Sequence, residues 1–135
     1  MSKLLERLRD PVRSGVYRVT RGDAIDEVVR DAAQIDLKGG DALRSIAEAL
    51  HFPDWFGGNW DALEDCLSDL SWRAGDGHVL VFRNWQALSS DDLGVLIDVL
   101  RSAAEFWSGR GRPFFAVLID PEVKLALPPL HRERA

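Results

Sequence analysis

The sequence predicts an α/β fold, a small and largely parallel sheet packed with helices. Two observations point there. Short strand-like runs alternate with stretches of helical spacing, the pattern of parallel strands joined by helical crossovers. Two of those runs, 79–82 and 114–119, are almost continuously apolar, as strands are when both faces of a sheet are covered. The 135 residues fit one domain.

Taken in order, Gly15–Thr20 (GVYRVT) reads as a short strand, and Asp23–Ala33 has helical spacing with Ile25, Val28 and Val29 on one side. Gln34–Lys38 alternates as a strand does and ends at Gly39-Gly40. Asp41 can cap a helix running to about Leu50, whose apolar positions are Leu43, Ile46, Ala47 and Leu50. His51–Gly58 is a loop, punctuated by Pro53 and Gly57-Gly58. Asn59 can cap a second helix to about Leu70, and Arg73–Gly77 is a turn. His78–Arg83 has strand length. Ser89 or Ser90 can cap a long helix to about Trp107, broken by Gly109–Pro113 before the strand Phe114–Ile119. Residues 34–120 thus hold three strands, and the segment 1–33 offers a fourth. The prolines after Ile119 predict a weakly ordered tail over 121–135.

Composition narrows the function classes. Cys66 is the single cysteine, so no internal disulfide can form. No apolar run has the roughly 18 residues of a membrane span, and the opening MSKLLERLRDP is charged throughout, unlike a secretory leader. A cytoplasmic protein without membrane contact, monomeric when free, is expected. The net charge of −5 is concentrated. Residues 1–50 balance, as do residues 73–135, whereas 51–72 carry Asp54, Asp61, Glu64, Asp65 and Asp69 with no Lys or Arg. One short window thus holds the whole excess. Such a field attracts basic partners and repels nucleic acid.

At about 100° per residue, Asp61, Glu64, Asp65, Ser68 and Asp69 share one side of the second helix. Trp60, Leu63, Cys66, Leu67 and Leu70 share the other. A solvated acidic face is the ordinary reading of such a helix. The loop before it, Phe52-Pro53-Asp54-Trp55-Phe56-Gly57-Gly58-Asn59, weighs towards recognition, because Trp is a common binding anchor. Phe56, Trp60, Trp85 and Trp107 suit the core, Trp55 suits core or surface equally, and Trp72 can flank the acidic face.

No catalytic constellation is visible. The carboxylates lie along one exposed helix face instead of across a cleft, and Cys66 falls on the apolar side with no histidine nearby in sequence. His51, His78 and His131 lack metal-ligand spacing. Asp61 and Asp65 could hold a divalent ion only weakly. The paired glycines match no phosphate-binding fingerprint, and Gly109-Arg110-Gly111-Arg112 reads as a solvated basic turn. No cofactor, metal or catalytic residue is expected.

The run Trp55-Phe56-Gly57-Gly58-Asn59-Trp60-Asp61-Ala62-Leu63-Glu64-Asp65-Cys66-Leu67 resembles the barstar family, whose signature is an aromatic pair, Gly-x-Asn-x-Asp-Ala-Leu and Asp-Cys-Leu. The likeness extends more weakly over residues 34–120; residues 1–33 have no counterpart in the minimal family domain. The resemblance implies a small parallel sheet, three-stranded in the minimal form, and an intracellular inhibitor of a basic microbial ribonuclease. It implies that Trp55 packs on the nuclease, that Asn59 and Asp61 contact it, and that Asp65 takes the substrate phosphate position. Gly57, Glu64, Asp69 and Trp72 complete the expected partner-binding set. Two positions depart: Glu64 stands where the family often has tryptophan, and Ser102 where a further acidic contact lies, with Asp98 and Glu105 one helical turn away. The alternative is an interaction module of the same fold docking a basic partner that is not a nuclease.

Overall fold

The computed structural model describes residues 3–21, 25, 29, 32–73, 75 and 77–130. Four strands form one sheet: β1 (Gly15–Val19), β2 (Ala33–Asp36), β3 (His78–Arg83) and β4 (Phe114–Ile119). Their order is β1-β4-β3-β2 and every pairing is parallel. The described helices are α1 (Lys3–Leu8), α2 (Ala42–Ala49), α3 (Trp60–Leu67) and α4 (Ser90–Ser108). The fourth strand is β1, so the N-terminal segment does enlarge the sheet. The helix expected over 23–33 lies mostly outside the described residues, although Ile25 is buried and Val29 packs beside it.

The central strands have two covered faces, as their apolar runs predict. Leu80 and Phe82 of β3, with Phe114, Ala116 and Leu118 of β4, meet α2, α3 and α4. Their neighbours Val81, Phe115 and Val117 face the other way, against Leu4 and Leu8 of α1, Ile25 and Leu130. This alternation is the two-residue period of a strand. Tyr17 of β1 stacks on Phe115 with ring centroids 5.8 Å apart. The opening residues, too charged to stand out as a helix, therefore supply part of a second core layer.

Local chemistry sets the helix starts. The Asp41 carboxylate accepts from the Arg44 amide at 3.1 Å, and the Ser89 hydroxyl accepts from the Asp92 amide at 3.1 Å. Each satisfies one of the free N–H groups at a helix start. Two indoles tie elements together: Trp85 Nε1, in the turn after β3, donates to the Ile119 carbonyl of β4 at 2.9 Å, and Trp107 Nε1 of α4 donates to the Leu67 carbonyl at the end of α3 at 2.7 Å.

After Ile119 the chain returns to the sheet over residues 120–130; residues 131–135 lie outside the described residues. The buried Asp120 carboxylate accepts from the amides of Lys124 and Leu125, at 3.0 and 2.8 Å, and folds the chain back. Arg18 of β1 then donates its amide to the Pro128 carbonyl and accepts from the Leu130 amide, both at 3.0 Å. Leu127 and Leu130 are buried. The prolines are compatible with this because the contact uses the carbonyl of Pro128 and asks no amide hydrogen of Pro128 or Pro129.

Candidate functional site

The acidic face is assembled by one loop, one short helix and the turn after it. Asn59 starts α3, its side-chain oxygen accepting from the Ala62 amide at 2.7 Å. The glycine that the loop requires is Gly58, at φ +72°, where a side chain would be strained. A Cβ at Gly57 would make only ordinary contacts, 3.6 Å from the Ala62 Cβ and the Asn59 Nδ2.

α3 buries Leu63, Cys66 and Leu67 and turns Asp61 and Asp65 to solvent. Glu64 is half-buried. The helix ends at Leu67, earlier than its amphipathic pattern suggests, because Leu70 adopts φ +48° and bends the chain while staying in the core. Asp69 consequently lies beyond the last helical turn, exposed. It remains close to α3, since the charges of Asp69 and Asp65 add to burial in raising the pKa of the Cys66 thiol. A buried thiol held protonated is a core group, not a nucleophile.

Among the described residues, none of Asp54, Asp61, Glu64, Asp65 and Asp69 forms an ion pair. Acids elsewhere do find cations: Asp36 has Lys38 and Glu48 has Arg44. Asp61, in the first turn of α3, is favoured by the helix dipole. Asp61 and Asp65, one turn apart with the same sign, cost a few tenths of a kcal/mol in the free protein.

The loop before α3 and the turn after it share an aromatic stack. Trp55 is 60% exposed, the most exposed aromatic of the described chain. Its ring meets Trp72 edge-on at 6.2 Å between centroids. Trp72 meets Phe52 at 5.8 Å, and Phe52 meets Phe56 at 4.9 Å. Trp72 is fixed by its Nε1 hydrogen bond to the Leu50 carbonyl, 2.9 Å long. Phe52, not singled out in the sequence, is the link between loop and core; its one sequence signal is its place before Pro53, at the exit of α2. Phe56 and Trp60 are half-buried against the core, and Trp85 and Trp107 are buried in it.

Trp55 and Trp72 meet in the aromatic stack, Asn59, Asp61 and Asp65 are exposed at the start of α3 or along it, Glu64 is partly withdrawn, and Asp69 is exposed beyond the helix end. On α4, Asp98, Ser102 and Glu105 are all exposed. Among the described residues no group of three or more His, Cys, Asp or Glu side chains could hold a metal ion, and no helix is long and apolar enough to cross a membrane.

An exposed indole in contact with Trp72, followed in the chain by unneutralised carboxylates, is suited to docking on a cationic protein surface. Arginine and lysine side chains that hold a phosphate can form the same charge-assisted hydrogen bonds with fixed carboxylates. Set against known families, residues 32–119 match the model described as Barstar (barnase inhibitor). No curated protein matches the chain.

Proposed function

The chain belongs to the barstar family, and from that premise we propose that it is an intracellular protein inhibitor of a basic microbial ribonuclease, acting by occlusion and not by catalysis. The family is one of ribonuclease inhibitors; the target and the contact surface are our own reading. The observation that carries it is the set of carboxylates on and around α3 that have no cation of their own among the described residues, together with an indole in the preceding loop that is 60% exposed and in contact with Trp72.

In this reading the Trp55–Asp65 unit enters the active-site groove. Asp65 takes the position of the substrate phosphate and receives the hydrogen bonds of the nuclease's cationic side chains. Asp61 and Asn59 add hydrogen bonds on the same side, while Trp55 covers the groove's apolar rim, with Gly57, Glu64, Asp69 and Trp72 around them. Repulsion among the carboxylates, unfavourable in the free protein, becomes attraction once the partner's cations arrive. The field that makes the free face costly also steers the encounter, so association is fast and weakened by salt. Because Trp55 is already braced by Trp72, less side-chain freedom is lost on binding.

The test is a titration of purified protein against basic microbial ribonucleases of the guanyl-specific type, reading RNA cleavage at low salt. Stoichiometric loss of cleavage, relieved by salt and by Asp65→Ala, is the expected result. Persistent cleavage at excess protein with every such nuclease would overturn the inhibitor reading in favour of a docking module for another basic protein.

A further inference from the structure

A cleft of about 870 Å³ opens between the N-terminal segment and the turn joining α4 to β4. Arg9, just after α1, borders it from one side, and Arg110 and Arg112 from the other; Leu8 and Val79 form part of an apolar wall. No Asp or Glu lines it among the described residues. Asp76 lies outside the described residues. The three arginines make no ion pair among the described residues. The Arg110 guanidinium carbon lies 4.3 Å from the Phe106 ring centroid, and that of Arg112 lies 6.0 Å from the centroid of Trp107. These rings line a neighbouring hollow of about 400 Å³ that the same two arginines also border, and the stacking uses none of their N–H donors.

The cleft is a product of tertiary structure. Arg9 comes from outside the residues matched to the family, and it borders the same cleft as a turn about a hundred positions further along the chain. The wall is tight where Gly77 approaches Pro113, since a Cβ on Gly77 would lie 2.5 Å from the Pro113 Cγ. His78, which also borders the cleft, is 5% exposed and packs edge-on against Trp107 at 5.1 Å, and its Nδ1 is buried without a hydrogen-bond partner. Burial, with Arg73 and Arg112 nearby, lowers its pKa to about 4, so at neutral pH the charge of the cleft is that of the arginines.

We propose that this cleft binds a nucleotide-class ligand, a phosphate ester whose charge is met by Arg9, Arg110 and Arg112 and whose flat apolar body lies against the Leu8–Val79 wall. The charge count favours phosphate. A monocarboxylate would leave two of three guanidiniums without a counter-ion, whereas a phosphate ester brings about two negative charges and oxygens suited to the planar guanidinium fork. The volume lies in the range of pockets that take ligands of this size. An acidic protein segment would also neutralise the arginines, but the apolar wall beside them fits a compact amphiphile.

The proposal is independent of the inhibitor reading and is tested on the full chain by amide NMR at low salt. The probes are inorganic phosphate, adenosine 5′-monophosphate, guanosine 5′-monophosphate and adenosine 5′-diphosphate. The expected result is a saturable shift of the Gly77, Val79 and Gly111 amides, with at least one nucleotide bound tenfold or more tighter than inorganic phosphate. Arg9→Ala and Arg110→Ala, both at exposed positions, should each weaken that binding tenfold or more, while Asp65→Ala leaves it unchanged. Absence of shifts at millimolar nucleotide, or shifts indifferent to both arginine variants, would overturn the site. Equal affinity for phosphate and every nucleotide would overturn the nucleotide assignment.

Discussion

Trp55 stands edge-on to Trp72, with ring centroids 6.2 Å apart and planes 83° from parallel. One of these indoles is exposed, while the other donates to the Leu50 carbonyl and reaches the core through Phe52. The pair divides two tasks that a single tryptophan would combine, offering a surface and holding it still. Trp55→Ala should therefore leave the thermal midpoint nearly unchanged while weakening partner binding by about 2 kcal/mol or more, as loss of a binding anchor does. Trp72→Ala should lower both, with about 2 kcal/mol of folding stability lost from a half-buried aromatic site. Thermal unfolding and inhibition titrations on the two variants separate the roles.

Asp65→Ala should weaken inhibition by about 2–5 kcal/mol, roughly thirtyfold to several thousandfold, the range for removing one partner of a desolvated charge pair. Glu122→Gln, an exposed carboxylate outside the loop-helix unit, should change inhibition by less than about twofold, since exposed ion pairs contribute little. Equal losses from both variants would dissociate the acidic helix from the interface.

Asn59 both caps α3 and belongs to the proposed contact surface. Asn59→Ala should cost about 1 kcal/mol of stability through the lost cap. Asn59→Ser retains a capping oxygen and should recover most of the stability. If the amide also contacts the partner, Asn59→Ser will remain weak in inhibition although stable in denaturant unfolding.

His78 makes stability depend on pH. Its folded pKa is lowered from 6.5 to about 4 by burial and by the charges of Arg73 and Arg112. The unfolded chain therefore binds the proton more readily. The contribution of this group is fully present above pH 6.5, falls as pH drops from 6.5 to about 4, and changes no further below that. The total is of order 3 kcal/mol. Denaturant unfolding between pH 7 and pH 4 should show this slope in the native chain and lose most of it in His78→Gln.

Leu130, completely buried beside Val81 and Phe115, ties the chain after β4 to the second core layer. Leu130→Ala should cost about 2–4 kcal/mol, within the range for a large-to-small core change. An effect below 0.5 kcal/mol by denaturant unfolding would show that the segment contributes no packing energy.

Features set by neighbouring residues could be read directly. The strands at 78–83 and 114–119 have the bounds expected of them, because an uninterrupted apolar run between turn signals leaves little choice. Asp41, Asn59 and Ser89 cap their helices because a capping oxygen acts within three residues. The early end of α3 escaped notice because Leu70 suits its apolar face and only the backbone shows the bend. α1 escaped because Leu4 and Leu8 are set among charges and gain a partner surface only through Ile25, Phe115 and Leu130. The acidic window was legible as charge alone. Its lack of counter-ions, and the brace that Trp72 gives Trp55, require residues brought together from α2, α3 and the turn. The arginines of the α4–β4 turn read as solvated because Arg9, their companion, is remote in sequence.

The place of β1 in the sheet also orders events in time. Gly15 pairs in register with Phe115, so β1 waits for about 100 further residues of synthesis before its partner strand exists. At about 5–20 residues per second that is roughly 5–20 s of synthesis. During that time Val19 and Tyr17 have no strand to pair with, whereas β2 and β3 can already pair with each other. The docking of β1 is therefore a step governed by long-range closure and not by local helix formation.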